Sequence, residues 1–433
     1  MIYSPKYLME LLLKSTIIKH SNQVAIKTNR YSISYRELGE KIAYRQKDLQ
    51  NKGVLPGKII PFLAREDLSN IITLLALLEL GAIAFPLNRR LSHVQMELVK
   101  DYLSSKTRFI PQDVCLCLQT SGSSGSPKIA LLSYKNLYYG ALGSISALQL
   151  EPNDLYLLSL PLHHIAGIII LFRAFLAQAT VVLPSDNLLY QIQTDEITHL
   201  SFVPTQLYRI IKDCTHNPIP SVRHLLLGGS SIPPYLYDKI KELQIPVLFS
   251  YGMTEMSSTI AMGRDMQGLH ILPYRKVAIS NNNEILVRGK CLFLGYLGKD
   301  IIGLDSNGWF STKDIGSFSS KGSLRICGRR DRMFISAGEN IHPEFIENAI
   351  YKLLDVEIVV VVSIPDREFV ERPCAFIESK RAWTESQYME ILRGHLPSLF
   401  LPIRLLSIPR KQLQSLKIDY TTLQKIACNS LGI

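Results

Sequence analysis

The 433-residue chain lacks the patterns that mark several classes of protein. Its seven cysteines include no CxxC pair, so we expect reduced thiols and a cytoplasmic location rather than a disulfide framework. Zinc-finger spacing and RNP-type aromatic motifs are also missing, which disfavours nucleic-acid binding. The net charge of +11 comes from scattered basic residues and indicates a mild attraction for anionic small molecules.

Long uninterrupted apolar runs are absent as well. The N-terminus, "MIYSPKYLMELLLKSTIIKH", has a short apolar patch broken by charge, which is not the pattern of a signal peptide. The most apolar stretch, "HIAGIIILFRAFLAQATVVL", carries Arg173 at its centre. Because an arginine in mid-membrane is costly, we expect this stretch to be buried in a folded domain and the chain to have no transmembrane segment.

Helical and extended patterns alternate over residues 36–86 and again over 136–250, which predicts α/β sheets with mostly parallel strands. In the first region, "SNIITLLALLELGA" predicts a helix capped by Ser69. Short strands and turns follow over 270–327 and predict a small β subdomain. After them a charged stretch, "RRDR", opens a compact α+β unit. The chain length also favours two or three domains. We therefore predict an N-terminal domain (1–327), a boundary segment (328–332) and a small C-terminal domain (333–433).

The stretch "LQTSGSSGSPKIA" (118–130) places small residues ahead of a proline and a lysine. Glycines and serines leave backbone N–H groups unobstructed and Lys128 adds positive charge, a combination that suits phosphate oxygens. A Walker A loop is excluded, because that motif needs Gly-Lys-Ser/Thr, whereas Pro127 precedes this lysine and Ile129 follows it. A flexible surface linker is the alternative.

Two later stretches carry candidate ligand-binding carboxylates. "FSYGMTEMSS" ends a predicted strand with Glu255, which suits a magnesium ion, and with Tyr251, which suits stacking on a base. The alternative is a solvated loop glutamate. "GWFSTKDIG" predicts Asp314 in a turn between two strands, either as an acceptor for ribose hydroxyls or as an ordinary turn residue.

Adjacent histidines occur in "PLHHIAG" (161–167), after a predicted strand. Metal binding would need further ligands at suitable spacing, and none follows. The alternative interpretation is therefore that His163 has a structural role. "GRRDRMFISAGENIHPEFIE" (328–347) places Pro343 at a helix start, with a charged interdomain linker as the alternative interpretation.

The order of these stretches resembles the adenylate-forming superfamily of acyl-CoA synthetases, peptide-synthetase adenylation domains and luciferases. The resemblance covers essentially the whole chain. "TSGSSGSPK" is similar to the family's phosphate loop, "YGMTE" to its adenine and magnesium motif, and "GWFSTKD" to its ribose motif. Residues 328–347 are similar to its hinge and the start of a small mobile domain, and "LKIDYTTL" (416–423) to its terminal segment with the catalytic lysine.

The resemblance implies ATP, magnesium and coenzyme A as cofactors or substrates, and it implies a role for each matching residue. Lys417, His164 and Thr254 would serve catalysis, Glu255 would hold the metal, and Asp331 would be the hinge pivot. The residues implied in nucleotide binding are Thr120, Ser121, Gly122, Ser123, Ser124, Gly125, Lys128, Tyr251, Gly252, Asp314 and Arg329.

Several positions depart from the family pattern. Ile129, Lys313, Ala337 and Leu416 each stand where the family usually has glycine. The last of these departures leaves the lysine assignment open between three residues, namely Lys417, Lys411 and Lys425. None of them removes a charged group that the chemistry requires.

Within the superfamily, "LPLHHIAGIIILFRAF" most resembles the o-succinylbenzoate–CoA ligases of menaquinone synthesis, which have an arginine nine residues after a histidine. His164 and Arg173 match that spacing, which implies that both bind the acid. The alternatives are a ligase for another aromatic or medium-chain acid, an enzyme that loads a carrier protein, and a non-catalytic nucleotide-binding homologue. The sequence is compatible with a homodimer.

Overall fold

The computed structural model describes residues 22–91, 96–97, 99, 103, 110–120, 128–298, 303–379, 381–413 and 418–432. The predicted phosphate-loop residues from Ser121 to Gly125 and the predicted catalytic Lys417 lie outside these residues. Among the described helices, none is both long and apolar enough to cross a membrane.

Strands and helices alternate through the first part of the chain, as the sequence predicts. In chain order they are β1 (Val24–Lys27), β2 (Ser32–Ser34), α1 (Tyr35–Asn51), β3 (Ile59–Ala64), α2 (Leu68–Leu80), β4 (Ile83–Asn88), β5 (Val114–Thr120), β6 (Lys128–Ser133), α3 (Tyr134–Leu148), β7 (Leu155–Leu157), α4 (Ile165–Ala177), β8 (Thr180–Val182), α5 (Leu188–Thr194), β9 (His199–Phe202), α6 (Pro204–Ile211), β10 (His224–Leu227), α7 (Pro234–Glu242) and β11 (Val247–Met253).

Short strands dominate the middle of the chain, and an α+β unit ends it. These elements are β12 (Ser258–Gly263), β13 (His270–Ile271), β14 (Arg275–Ile279), β15 (Glu284–Gly289), β16 (Gly295–Tyr296), β17 (Phe310–Phe318), β18 (Leu324–Arg329), β19 (Phe334–Ser336), β20 (Glu339–Ile341), α8 (Pro343–Leu353), β21 (Ile358–Asp366), β22 (Val370–Glu378), α9 (Glu385–Arg393), β23 (Leu405–Ser407), α10 (Arg410–Leu413) and α11 (Tyr420–Leu431).

The described strands form four sheets, of nine, five, four and five strands. The largest has the order β13-β12-β11-β10-β9-β7-β8-β1-β2, and its strands from β11 to β1 pair in parallel. A second sheet has the order β16-β6-β5-β4-β3. An antiparallel sheet, β14-β15-β17-β18, and a C-terminal sheet built on β21 and β22 complete the fold. The predicted fold class is confirmed.

The C-terminal sheet is covered on both faces, because side chains alternate along a strand. On β21, Val359 and Val361 pack into a core with α8 and α9, whereas Val360 and Val362 pack into another core with α11. The described core residues up to Leu324 belong to other clusters. The predicted boundary segment, 328–332, lies between the two sets, and the domain division stays a prediction.

Two local predictions were wrong. Helix α2 is capped by Asp67, whose carboxylate accepts a hydrogen bond from the N–H of Asn70, so Ser69 lies inside the helix. Asp314 lies within the nine-residue strand β17 and not in a turn. Phe310, Thr312 and Asp314 alternate with exposed residues along this strand, so the pleat places the aspartate on the buried face.

Candidate nucleotide and acyl site

The carboxyl ends of β9, β10 and β11 meet at one edge of the large sheet because these strands are parallel. The predicted Tyr251 and Gly252 lie at the end of β11, and a 3₁₀ turn over Thr254–Met256 follows. At Gly252 a Cβ atom would lie 2.1 Å from the backbone oxygen of Ser258, so a side chain does not fit there. The predicted motif is thus held at this edge by a close backbone approach between Gly252 and Ser258.

A buried carboxylate joins this edge to the antiparallel sheet. The Tyr251 hydroxyl donates to Asp314 Oδ2 at 2.6 Å, and Arg329 Nη1 donates to Oδ1 at 3.0 Å. Arg329 lies opposite Asp314 in the register of β17 and β18, which explains their contact. Burial raises the pKa of Asp314 above its ordinary value, although the arginine and the tyrosine hydroxyl oppose that shift. Three predicted residues that are distant in sequence therefore share one cluster.

The predicted hinge residue belongs to the same cluster. Arg329 forms a two-point ion pair with Asp331, both bonds measuring 2.8 Å, and these bonds raise the pKa of the guanidinium. The next two arginines form ion pairs with different parts of the chain. Arg330 pairs with Glu284 on β15, whereas Arg332 pairs with two glutamates of α8.

A second cluster contains the predicted metal ligand. Glu255 is 8% exposed, and its Oε1 accepts a hydrogen bond from the Tyr296 hydroxyl at 2.5 Å. The Lys128 ammonium lies 5.3 Å from the centre of the Tyr296 ring. Thr120 pairs with Lys128 across β5 and β6, so the two ends of the phosphate-loop segment meet beside Glu255.

Sequence reasoning missed Tyr296. It lies in "FLGYLG", a stretch that matches none of the predicted motifs of this chain. Only the antiparallel pairing of β16 with β6 brings it beside Lys128, through the register of Tyr296 with Ala130. Burial raises the pKa of Tyr296, and the Glu255 carboxylate acts in the same direction. The tyrosine therefore stays protonated and able to donate.

The two predicted acid-binding residues are not adjacent. His164 is exposed and immediately precedes α4, with its ring 4.3 Å from that of His163. Arg173 lies on the third turn of the same helix, about 13 Å further along the axis at 1.5 Å per residue. Burial lowers the pKa of His163, and the nearby Arg89 and Arg90 lower it further. A neutral His163 therefore agrees with its alternative structural role.

Arg173 is only 1% exposed, and the described side chains that accept its hydrogen bonds are neutral hydroxyl groups from three elements. Its Nε donates to Ser144 Oγ at 2.8 Å, its Nη2 to Thr259 Oγ1 at 3.0 Å, and its Nη1 to the Tyr156 hydroxyl at 3.5 Å. Within the described ranges, no carboxylate lies within salt-bridge distance of it. A buried guanidinium with only neutral partners has electrostatic capacity left for an anion.

A second buried arginine increases this positive charge. Arg275 is 5% exposed and donates to the backbone carbonyls of Pro273 and Gly140, each at 2.7 Å. Burial lowers its pKa to about 10, and the charge of Arg173 contributes to that shift. Sequence reasoning identified neither Arg275 nor the hydroxyl partners of Arg173.

Comparisons with known proteins agree with this geometry. The family model described as "AMP-binding enzyme" matches residues 99–297. The 2-succinylbenzoate–CoA ligase of Haemophilus influenzae is 31% identical over 428 residues, which cover 92% of this chain and 94% of that protein. The chain belongs to the AMP-binding enzyme family. A 2-succinylbenzoate–CoA ligase of Salmonella typhimurium is 30% identical, with 95% of this chain and 96% of that protein covered.

Solved structures share the fold of this chain. An arginine-to-lysine variant of Escherichia coli MenE with bound OSB-AMS is 27% identical, with a TM-score of 0.84 over 96% of this chain and 98% of that one. An ATP-bound RpMatB–BxBclM chimera is 20% identical and has a TM-score of 0.87 over 99% of this chain and 100% of that one. The resemblance predicted from the sequence motifs is confirmed.

Proposed function

We propose that the chain is an ATP-dependent acid–CoA ligase that forms o-succinylbenzoyl-CoA through an acyl-adenylate, as a step of menaquinone biosynthesis. Similarity to 2-succinylbenzoate–CoA ligases over more than nine-tenths of the chain supports the reaction. The single observation that carries the choice of acid is the full burial of Arg173 among neutral hydroxyl groups. A dicarboxylic acid supplies the missing negative charge.

The nucleotide is held by the Asp314 cluster in this proposal. A carboxylate with two oxygens accepts hydrogen bonds from neighbouring ribose hydroxyls, and Arg329 and Tyr251 fix its orientation. Donors at the ends of the phosphate-loop segment, Thr120 and Lys128, face the triphosphate. The sequence resemblance implies that the loop residues between them also bind the triphosphate.

Glu255 fits a magnesium ion that is bound together with substrate. Magnesium is usually held by one or two carboxylates plus phosphate oxygens, and the described residues contain no group of three or more metal-ligating side chains. The Tyr296 hydroxyl orients one oxygen of Glu255. When bound, magnesium neutralises charge on the phosphate oxygens.

The first step joins the acid to the nucleotide. A carboxylate oxygen of the acid attacks the α-phosphorus of ATP, the bond to the bridging oxygen breaks, and pyrophosphate leaves. Lys417 offers a positive charge to the oxygens that become more negative in this transition state, and Thr254 offers a hydroxyl. The coenzyme A thiolate then attacks the acyl carbonyl carbon and AMP leaves. The C-terminal domain turns about Asp331 between the two steps.

The acyl group extends from the edge formed by the carboxyl ends of β9, β10 and β11 towards α4. The distal carboxylate of o-succinylbenzoate pairs with Arg173, directly or through water, which offsets the cost of burying either charge alone. The charge on Arg275 adds to the field at that point. His164, at the start of α4, orients the aromatic ring or the keto group near the mouth of the pocket.

The proposal is tested by ATP–pyrophosphate exchange with a panel of acids, followed by transfer to free coenzyme A or to a carrier protein. We expect exchange with o-succinylbenzoate to exceed exchange with benzoate or a medium-chain acid, and free coenzyme A to accept the acyl group. Absence of exchange with every acid would indicate a non-catalytic homologue, and transfer to a carrier protein alone would indicate a loading enzyme. A cytoplasmic location and a homodimer are part of the proposal as sequence-based expectations.

A further inference from the structure

Helix α6 contacts the C-terminal part of the chain through two consecutive residues. Tyr208 forms a side-chain hydrogen bond with Glu357, which immediately precedes β21. The Arg209 guanidinium donates to the backbone carbonyl of Leu413, the last residue of α10. One turn of a single N-terminal helix therefore holds two points that are well separated in the C-terminal sequence.

A row of tyrosine rings continues this contact. Tyr208 packs edge-on against Tyr235 on α7, with ring centres 5.5 Å apart. Tyr235 in turn lies 6.3 Å from the ring of Tyr351 on α8. The Tyr351 hydroxyl accepts a hydrogen bond from the Val359 N–H at 2.8 Å, so the C-terminal end of the row is itself held in place. We call Tyr208, Arg209, Tyr235, Tyr351 and Glu357 the α6 clasp.

The position of the α6 clasp gives it a role in one step of the reaction. Helix α6 follows β9, so it begins at the edge of the large sheet where the candidate nucleotide site lies. Leu413 precedes Lys417 by four residues. The contact therefore holds the backbone at Leu413, shortly before the predicted catalytic lysine in the sequence, against a helix that begins at this edge.

We propose that Arg209 and Tyr208 are positioning residues for acyl-adenylate formation, holding the C-terminal domain in the orientation that serves the first step. The inference rests on the proposed function. Rotation about 328–332 separates α6 from Glu357 and Leu413, so thioester formation proceeds without these contacts. The clasp stabilises one of two orientations, and weakening it shifts the population towards the other.

The test measures the two half-reactions of Arg209→Ala and of the double variant Arg209→Ala/Tyr208→Phe. Losing one hydrogen bond of ordinary strength changes an equilibrium by about 3- to 10-fold, so we expect acyl-adenylate formation to fall by that factor in the single variant and further in the double variant. Transfer from pre-made acyl-adenylate to coenzyme A should stay unchanged or become faster. Arg209→Lys, which keeps a donor, should recover part of the first step.

Lys239→Ala is the matched control, because Lys239 lies on the adjacent helix α7 and pairs with Glu242 of the same helix. It should leave both half-reactions at wild-type rates. Equal losses in both steps of Arg209→Ala, or no loss in either, would overturn the inference even though the wild-type enzyme is active. If the wild type itself forms no acyl-adenylate, the proposed function fails instead, and a thermal unfolding scan separates either result from a folding defect.

Discussion

Tyr251 and Asp314 lie 63 residues apart in sequence, and the tyrosine hydroxyl donates to the carboxylate at 2.6 Å. This bond links the edge of the large sheet that carries the candidate nucleotide site to the antiparallel sheet that carries Asp314, the predicted ribose-binding residue. Because Asp314 is buried, it needs such donors to remain ionised, and burial already raises its pKa. The tyrosine therefore has an electrostatic role towards Asp314 besides any contact with a base.

Tyr251→Phe should weaken nucleotide binding without removing the ring. Losing one donor to a buried carboxylate costs on the order of 1.5 kcal/mol, so we expect the KM for ATP in pyrophosphate exchange to rise about 10-fold. Tyr237→Phe is the control, because its hydroxyl donates to Asp265 at an exposed site. An unchanged KM for ATP in Tyr251→Phe would show that the bond to Asp314 does not serve nucleotide binding.

Two departures from the family's glycines carry a conformational cost. Lys313 has φ of +64° and Ala337 has φ of +47°, and both values lie in the left-handed region that favours glycine. Lys313→Gly and Ala337→Gly should each raise the free energy of unfolding by about 1 kcal/mol in denaturant titrations. The inverse substitution, Gly322→Ala at φ of +76° with open space around the Cβ position, should lower it by a similar amount. Destabilisation by both glycines would contradict this explanation.

A buried histidine pair predicts acid sensitivity. Burial lowers the pKa of His199 to about 4, and its ring faces His224, Asp154 and Arg223. In the unfolded chain the His199 imidazole binds a proton near pH 6.5, whereas in the folded chain it binds one only at lower pH. Stability from this group is therefore complete above pH 6.5 and is lost as the pH falls towards 4.

We expect the free energy of unfolding to fall between pH 7 and pH 5 by on the order of 2 kcal/mol, measured by urea titration. His199→Asn should reduce that slope, while His270→Asn, at an exposed position, should leave it unchanged. The lowered pKa of His224 adds to the same slope, so some dependence should remain in His199→Asn. Identical slopes in all three proteins would contradict the assignment.

Much of the framework follows from local patterns, because β-strand runs and amphipathic helices carry their own periodicity. Tertiary contacts decide the features that these local patterns do not predict. Asp67 and Ser69 both suit a helix cap, and only the backbone decides between them. The stretch "GWFSTKDIG" predicts a turn at Asp314, yet pairing with β18 keeps this residue within β17. Tyr296 has no local signal at all.

Substitutions at the predicted hinge residue, Asp331, and at the predicted catalytic residue, Lys417, should impair different half-reactions. Asp331→Pro fixes φ at the predicted hinge, so adenylation should persist while thioester formation falls by at least about 10²-fold. Lys417→Ala should lower adenylation by about 10²-fold and still transfer pre-made acyl-adenylate to coenzyme A. Asp331→Asn is the control, since it weakens the ion pair with Arg329 and leaves the backbone free. Parallel losses in both steps of both variants would contradict a two-orientation mechanism.

Arg173 gives the sharpest test of the acid. Its partners Ser144, Tyr156 and Thr259 are neutral and come from α3, β7 and β12. Because these residues are far apart in sequence, no sequence pattern predicts that the guanidinium has no counter-ion among the described residues. The arginine is costly to bury unless an anion arrives, and the anion is costly to bury unless a cation is present. A substrate with a second carboxylate resolves both costs at once.

Arg173→Leu should therefore lower catalytic efficiency with o-succinylbenzoate by about 2–5 kcal/mol, the range for stripping one partner from a buried charge pair. Benzoate, which has no distal carboxylate, should lose far less if it is accepted. Arg173→Lys keeps the charge but loses the forked donor geometry, so its loss should be intermediate. kcat/KM for both acids in wild type and variants is the measurement, with thermal unfolding as the check on folding. Equal losses for the two acids would make Arg173 a structural residue, and failure of the wild type to use o-succinylbenzoate would overturn the assignment of the acid.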